Sequence, residues 1–183
     1  MSSMRLKINI ILLVSMLVIT GVYSIGCKMK GQENTFPEEI NQNSYEEQKE
    51  PLSILEEGVV DGIIFRLGTE KKDVISKLGE PDNIGKTDGS EVFRYKDTYY
   101  YFDINRKILI GIKILQLGKE VYGVKVGMKP EEIKQVLGKP TNEYYNVHDE
   151  KWELLYKRGK NELYFVSKDK NSSTNYVTVL KKD

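Results

Sequence analysis

The chain has 183 residues, with 28 Lys plus Arg, 27 Asp plus Glu, one His and one Cys. That length suits one domain or two small ones and is enough to bury a real core. One cysteine excludes an internal disulfide framework and a Cys-cluster zinc site, one histidine leaves little for a His-based metal site or relay, and a net charge of +1 argues against an electrostatically driven nucleic-acid binder.

The first 26 residues carry two charges, Arg5 and Lys7, both basic, followed by an uncharged run from 8 to 26. A basic start, an apolar centre and small residues at the end have the order of a secretory signal. The 19 uncharged residues are also close to spanning length, so a retained membrane anchor is the other reading. The position of the lone cysteine favours processing. Ser24-Ile25-Gly26-Cys27 resembles the bacterial lipoprotein motif, in which a small residue precedes a cysteine whose sulfur receives a diacylglycerol. The resemblance implies residues 1–26 as a signal peptide, Cys27 as the lipidated and palmitate-bearing residue, and a protein held at the outer face of the bacterial cytoplasmic membrane. Each buried CH₂ of such a chain contributes about 0.8 kcal/mol to anchoring.

Past Cys27 the composition changes. Residues 28–57 hold three lysines and eight glutamates, a net −5, with few apolar side chains between 32 and 44. Such a stretch cannot offset its chain entropy by burial, so 27–57 is expected to be a flexible acidic spacer. The short apolar-acidic segment Leu52-Ser53-Ile54-Leu55-Glu56-Glu57 is the exception and reads as one turn of helix against the domain.

The remainder, 58–183, contains a self-similar block. Residues 67–81 recur at 126–140 with a constant offset of 59, and Gly68/Gly127, Leu78/Leu137, Gly79/Gly138 and Pro81/Pro140 are identical. Each copy reads as a short helix. Val74, Ile75 and Leu78, and again Ile133, Val136 and Leu137, form an apolar stripe at helical spacing. Thr69 is expected as an N-cap and Pro130 suits the first turn. Gly79 and Gly138 suit left-handed caps, with a proline just beyond to stop each helix. Gly-Lys-Pro here is therefore a stop signal, since a phosphate loop needs a following Lys-Ser/Thr pair.

Three strands are expected after each helix, from aromatic and β-branched enrichment with two-residue alternation. They fall near 93–96, 99–102 and 108–114, and near 152–157, 162–166 and 176–180. Asp97-Thr98 and residues 158–161 are the hairpin links, and glycine-containing strands at 61–65 and 122–126 lead in. Alternation of Ile108, Ile110, Ile112 and Ile114 places one apolar face toward a helix. The expected fold class is α+β: a tandem repeat of a short helix packed on a small antiparallel sheet, repeat one about 58–117 and repeat two about 118–183.

The Gly-Met-Lys-Pro-Glu-Glu-Ile…Leu-Gly-Lys-Pro block and its tyrosine-containing strands resemble the YjgB-type lipoproteins of low-GC Gram-positive bacteria, whose domain has no known function. More distantly, the tandem unit is similar to β-lactamase inhibitor protein and to outer-membrane assembly lipoproteins of the SmpA/OmlA type. The resemblance implies a fold and no activity.

Catalytic groups are few. His148 lies beside Asp149, but no serine or cysteine has a recognisable elbow or partner, so the imidazole reads as an exposed loop residue. Residues 82–89 carry oxygen ligands without EF-hand spacing and read as a loop. No cofactor or metal site is expected, and the protein is expected to be non-enzymatic.

Tyrosine is the stronger signal. Eleven of twelve tyrosines lie beyond the signal segment, including Tyr99, Tyr100 and Tyr101 on one strand and Tyr144 and Tyr145 after the second helix. Alternation puts Tyr99 and Tyr101 on one face and Tyr100 and Phe102 on the other. One pair must pack on a helix; the other is offered to solvent, where tyrosine favours recognition. The five tyrosines are the candidate binding surface, and the expected role is capture of an extracytoplasmic protein partner. The alternatives are a cell-wall glycan or small-ligand sensor, and an inhibitor of a secreted enzyme. A hydrolase built on His148 and Asp149 is a further rival.

Overall fold

The computed structural model describes residues 50–87 and 89–182. The expected signal peptide, Cys27 and the spacer as far as residue 49 lie outside the described residues. Leu52 and Leu55 are almost fully buried, and Ser53–Leu55 is the expected turn, a single 3-10 turn. Two residues of the segment read as spacer therefore belong to the core.

Two helices and ten strands follow in the order α1 (Lys71–Leu78), β1 (Asn83–Thr87), β2 (Ser90–Tyr95), β3 (Thr98–Asp103), β4 (Leu109–Ile114), β5 (Glu120–Val121), β6 (Val124–Lys125), α2 (Pro130–Leu137), β7 (Asn142–Asn146), β8 (Lys151–Arg158), β9 (Asn161–Ser167) and β10 (Thr174–Lys181). Eight strands make one antiparallel sheet in the order β1-β2-β3-β4-β10-β9-β8-β7, while β5 and β6 pair separately as a short hairpin. This overturns the expected tandem of two small sheets, each with its own helix. Among the described residues strand far outweighs helix, and β4 pairs with β10 from Gly111–Leu180 to Ile114–Val177, which joins the strands of the two expected sheets into one.

The order has a physical reason. β4 and β10 carry Leu109, Ile112, Ile114, Val177 and Val179, all fully buried. Left as edges, they would expose unpaired backbone beside apolar side chains, a template for aggregation. Pairing them in the centre leaves the polar strands β1 (Asn-Ile-Gly-Lys-Thr) and β7 (Asn-Glu-Tyr-Tyr-Asn) at the rims.

One face of the sheet is the core. Phe93, Tyr100, Phe102, Leu154, Tyr156, Leu163 and Phe165 pack there with Leu52, Leu55, Val60, Val74 and Ile133. Rings meet edge to face: Phe93 with Phe102 at 5.0 Å, Tyr156 with Phe165 at 6.0 Å. Both helices are docked alike. The Tyr95 hydroxyl donates to the Gly79 carbonyl at 2.8 Å, and the Tyr156 hydroxyl to the Gly138 carbonyl at 3.0 Å. Lys71 Nζ pairs with Glu91 on β2, and Lys134 Nζ with Glu143 on β7.

Several local expectations change. The N-cap of α1 is Glu70, because the Thr69 hydroxyl donates backwards to the Arg66 carbonyl. Pro130 does open α2. Gly79 and Gly138 have positive φ (81° and 75°) but ψ near −165°, an extended conformation reserved for glycine rather than the left-handed helical one. Residues 83–87, read as loop, form edge strand β1, because β2 supplies a partner ladder that polar sequence cannot advertise. The lead-in at 61–65 is a turn joined by one Val59–Arg66 bridge, not a strand. The isoleucine alternation breaks at a register shift opposite Tyr101 and Phe102, so Leu109, Ile112 and Ile114 face the core and Ile110 is half-buried.

Among the described residues, no helix is long and apolar enough to cross a membrane.

Candidate functional site

The second face of the sheet carries the other half of each alternation, half-buried tyrosines and Lys113 beside buried Glu153, Glu162 and Val166. In-register pairing lines them up in rows across the strands. One row runs Tyr144, Glu153, Val166, Tyr176 from β7 to β10. The next runs Leu155, Tyr164, Thr178, Lys113, Tyr99, Arg94 from β8 to β2. A third runs Glu162, Leu180, Gly111, Tyr101, Val92. Gly111 is glycine for a reason of space: a Cβ there would lie 2.6 Å from Leu180 Cδ2 and 3.6 Å from Tyr101 Cβ.

Between the first two rows lies a cleft of about 290 Å³, walled by Tyr144, Tyr164 and Tyr176, with Asn146, Asp149 and Glu153 among its polar groups. Glu153 is only 6 % exposed. Its Oε2 accepts from the Tyr144 hydroxyl at 2.7 Å and its Oε1 from Asn146 Nδ2 at 2.9 Å. Asn146 also shapes the turn after β7. Its Oδ1 accepts the backbone N–H of His148 and Asp149, while its Nδ2 donates to Asp149 Oδ2 at 3.2 Å. That turn brings Asp149 to the cleft and leaves His148 exposed.

Beside the cleft the Tyr164 hydroxyl donates to Glu162 at 2.6 Å, and Glu162 also pairs with Lys157 at 2.8 Å and Lys182 at 3.6 Å. The Lys113 ammonium sits over the Tyr176 ring, 3.7 Å from its centroid, and the Arg94 guanidinium lies 5.7 Å from the Tyr99 ring.

Burial dominates the acid–base chemistry here. Burial, then the bond to Glu153, pushes the Tyr144 hydroxyl up to about 12. Burial and Glu162 raise Tyr164 further still, and burial with Asp149 and Glu153 raises Tyr176. These hydroxyls are therefore protonated donors at neutral pH. Lys113 moves the other way, lowered by burial and partly restored by Asp149.

Of the five tyrosines singled out in the sequence, Tyr99, Tyr101 and Tyr144 share this face. Tyr100 does not: it is 5 % exposed, packed edge-on between Phe65 and Tyr95 in the core. Tyr145 alternates with Tyr144 and so points to the opposite face of edge strand β7, opposite Trp152. The residues missed were Tyr164, Tyr176, Glu153 and Lys113. Each stands on a different strand, so only the pairing collects them; Glu162-Tyr164-Val166 and Tyr176-Thr178-Leu180 were the available signal, a second alternation out of phase with the core.

A second recess, about 350 Å³, is lined by Glu56, Glu57, Lys160 and Lys181, has no aromatic wall, and is the weaker candidate. Among the described residues no three His, Cys, Asp or Glu side chains are grouped to hold a metal ion.

The structure is similar to that of a DUF4309 family protein, YjgB, from Bacillus subtilis subsp. subtilis str. 168, at 20 % identity and TM-score 0.52, covering 73 % of this chain and 95 % of that one. It is also similar to an extracellular protein containing a SCP domain from Bacillus anthracis str. Ames, at 11 % identity and TM-score 0.50. That match takes in 63 % of this chain and 44 % of the other, so it spans less than half of the larger protein. No curated protein sequence matches the chain. A family model for a domain of unknown function, DUF4309, matches residues 51–180, which takes in both helices and all of the sheet but the last residue of β10, and the chain belongs to that family.

Proposed function

We propose that this protein is a membrane-tethered, extracytoplasmic binding module, non-enzymatic, that captures a protein partner on the open face of its sheet. The observation that carries the reading is the cleft walled by Tyr144, Tyr164 and Tyr176, continuous along the rows with Tyr99 and Tyr101. Tyrosine offers a large rigid surface with one hydroxyl, and five on one face exceed what packing of that face requires. The tether rests on the basic-then-apolar start and on Ser24-Ile25-Gly26-Cys27, with lipid on Cys27.

The test is photo-crosslinking on intact cells with the full tethered chain and a probe placed in turn at Tyr99, Tyr101, Tyr176 and Tyr145. One protein adduct from the first three sites and none from Tyr145, on the opposite face, is the expected result. Adducts of equal yield from Tyr145, or none from any site, would sink the open-face reading; glycan retention on a column would then promote the cell-wall alternative.

A further inference from the structure

The open-face cleft has an electrostatic imbalance that its hydrogen bonds do not remove. Glu153 is buried, yet both its oxygens are held by neutral donors, the Tyr144 hydroxyl and the Asn146 amide. Among the described residues no cation pairs with it. Asp149 adds a second carboxylate to the lining, and the neighbouring cation, Lys113, stands over the Tyr176 wall rather than on Glu153. A buried carboxylate without a counter-charge is costly and is relieved by a cation that enters with it.

The walls match such a visitor. Aromatic faces attract ammonium and guanidinium groups through the ring quadrupole, and three tyrosine rings surround this space. The fold itself demonstrates the preference, because a cation already rests on one of them. The Lys113 ammonium lies 3.7 Å above the Tyr176 ring and feels the Asp149 carboxylate without closing an ion pair with it. Its four-carbon stem comes from β4, so it can swing away while its backbone stays in the ladder with Thr178 and Tyr99.

We propose that the cleft receives a lysine or arginine side chain of the protein partner, with Glu153 and Asp149 as counter-charges, the tyrosine rings as walls, and Lys113 as a resident cation that the incoming group displaces. This rests on the open-face reading above and names the chemistry of the docking. A partner residue of that kind supplies the missing charge together with an apolar stem for the tyrosine rings, which neither a sugar nor an acidic peptide does.

The test uses the full chain in detergent and titrates it with hexalysine, with hexalysine acetylated on every side chain, and with spermidine. Hexalysine is expected to bind and its acetylated form to bind at least about tenfold more weakly, since the charge is the recognised feature. Glu153→Gln, which removes the charge, keeps an acceptor for Asn146 and turns the Tyr144 contact into one in which the amide donates, lowers hexalysine affinity about tenfold. Lys113→Met, which removes the competing cation, raises it several-fold. Glu131→Gln, at an exposed helix position, leaves it unchanged and controls for general electrostatics. Equal binding of both hexapeptides, or weaker binding after Lys113→Met, overturns the cation assignment. If protein adducts still form at Tyr101 in cells in that case, the open face binds by other chemistry and only this inference falls. Spermidine binding as tightly as hexalysine, with no protein adduct in cells, overturns the assignment to a partner's side chain and makes the site one for a small amine.

Discussion

Tyr100 and Tyr101 are neighbours on β3 and have opposite fates. Tyr100 is shut in the core between Phe65 and Tyr95, where burial raises its hydroxyl to about 12. Tyr101 stands half-buried on the open face above Gly111. The two faces of the sheet extend that contrast. The helix face is apolar and fixed by ring contacts; the open face is built of tyrosines, carboxylates and lysines whose charges are shared across strands. On the proposed reading, stability is concentrated on one side and recognition on the other, and a substitution's effect should depend on its parity along the strand more than on its residue type.

The sharpest way to break the comparison is Phe102→Ala, which empties a fully buried position on the core face. It should cost about 3–5 kcal/mol, measured by denaturant unfolding. A cost under about 1 kcal/mol would mean the helix face is not the main core.

Next comes Glu162, a buried carboxylate of the open face that is paired with lysines. Burial alone would raise its pKa, but bonds from Lys157 and Tyr164, with Lys182 nearby, outweigh burial and hold it below the usual carboxylate value. A group depressed in this way adds stability that is present above the unfolded-state value and is lost as pH falls through the folded one. The denaturant midpoint should therefore drop on going from about pH 6 to about pH 3, and Glu162→Gln should flatten that drop. At neutral pH the same variant should cost about 1.5–3 kcal/mol, as for hydrogen bonds to a charged group.

Tyr156→Phe sharpens the helix-face side. It removes one hydroxyl bond to the Gly138 carbonyl and leaves the ring in place, so about 1 kcal/mol is expected in thermal or denaturant melts. Tyr95→Phe should behave alike at Gly79, and unequal losses would show that the two helices are not equally anchored by this contact. The smallest stability effect belongs to Tyr101→Ala, within about 0.5–1 kcal/mol, paired with a clear loss of partner capture by crosslinking yield. Full capture by a folded Tyr101→Ala variant would remove that residue from the recognition surface.

Much of this molecule was legible along the chain. The constant offset of 59 located both helices, with Pro130 at the start of one and glycines at the end of each. Aromatic and β-branched runs located six of the eight strands in the large sheet. These are local signals: a period, a cap, a turn. The polar edge strands at 83–87 and 142–146 carry none of them, because an edge strand takes its conformation from the ladder beside it. The candidate site was half legible for the same reason. Tyr99, Tyr101 and Tyr144 are conspicuous in the sequence, but Glu153, Tyr164, Tyr176 and Lys113 join them only through registers between strands far apart in the chain.

The amino-acid sequence by itself determined both helices and the six inner strands, the alternation that gives those strands two unlike faces, and the scarcity of catalytic side chains. Only the tertiary structure decided that β4 and β10 meet. That pairing hides two apolar edges at once, turns two expected sheets into one, and sets Lys113 over Tyr176. No local signal encodes it, because backbone hydrogen bonds are the same for every residue and the choice of partner strand is made by what the whole core must bury.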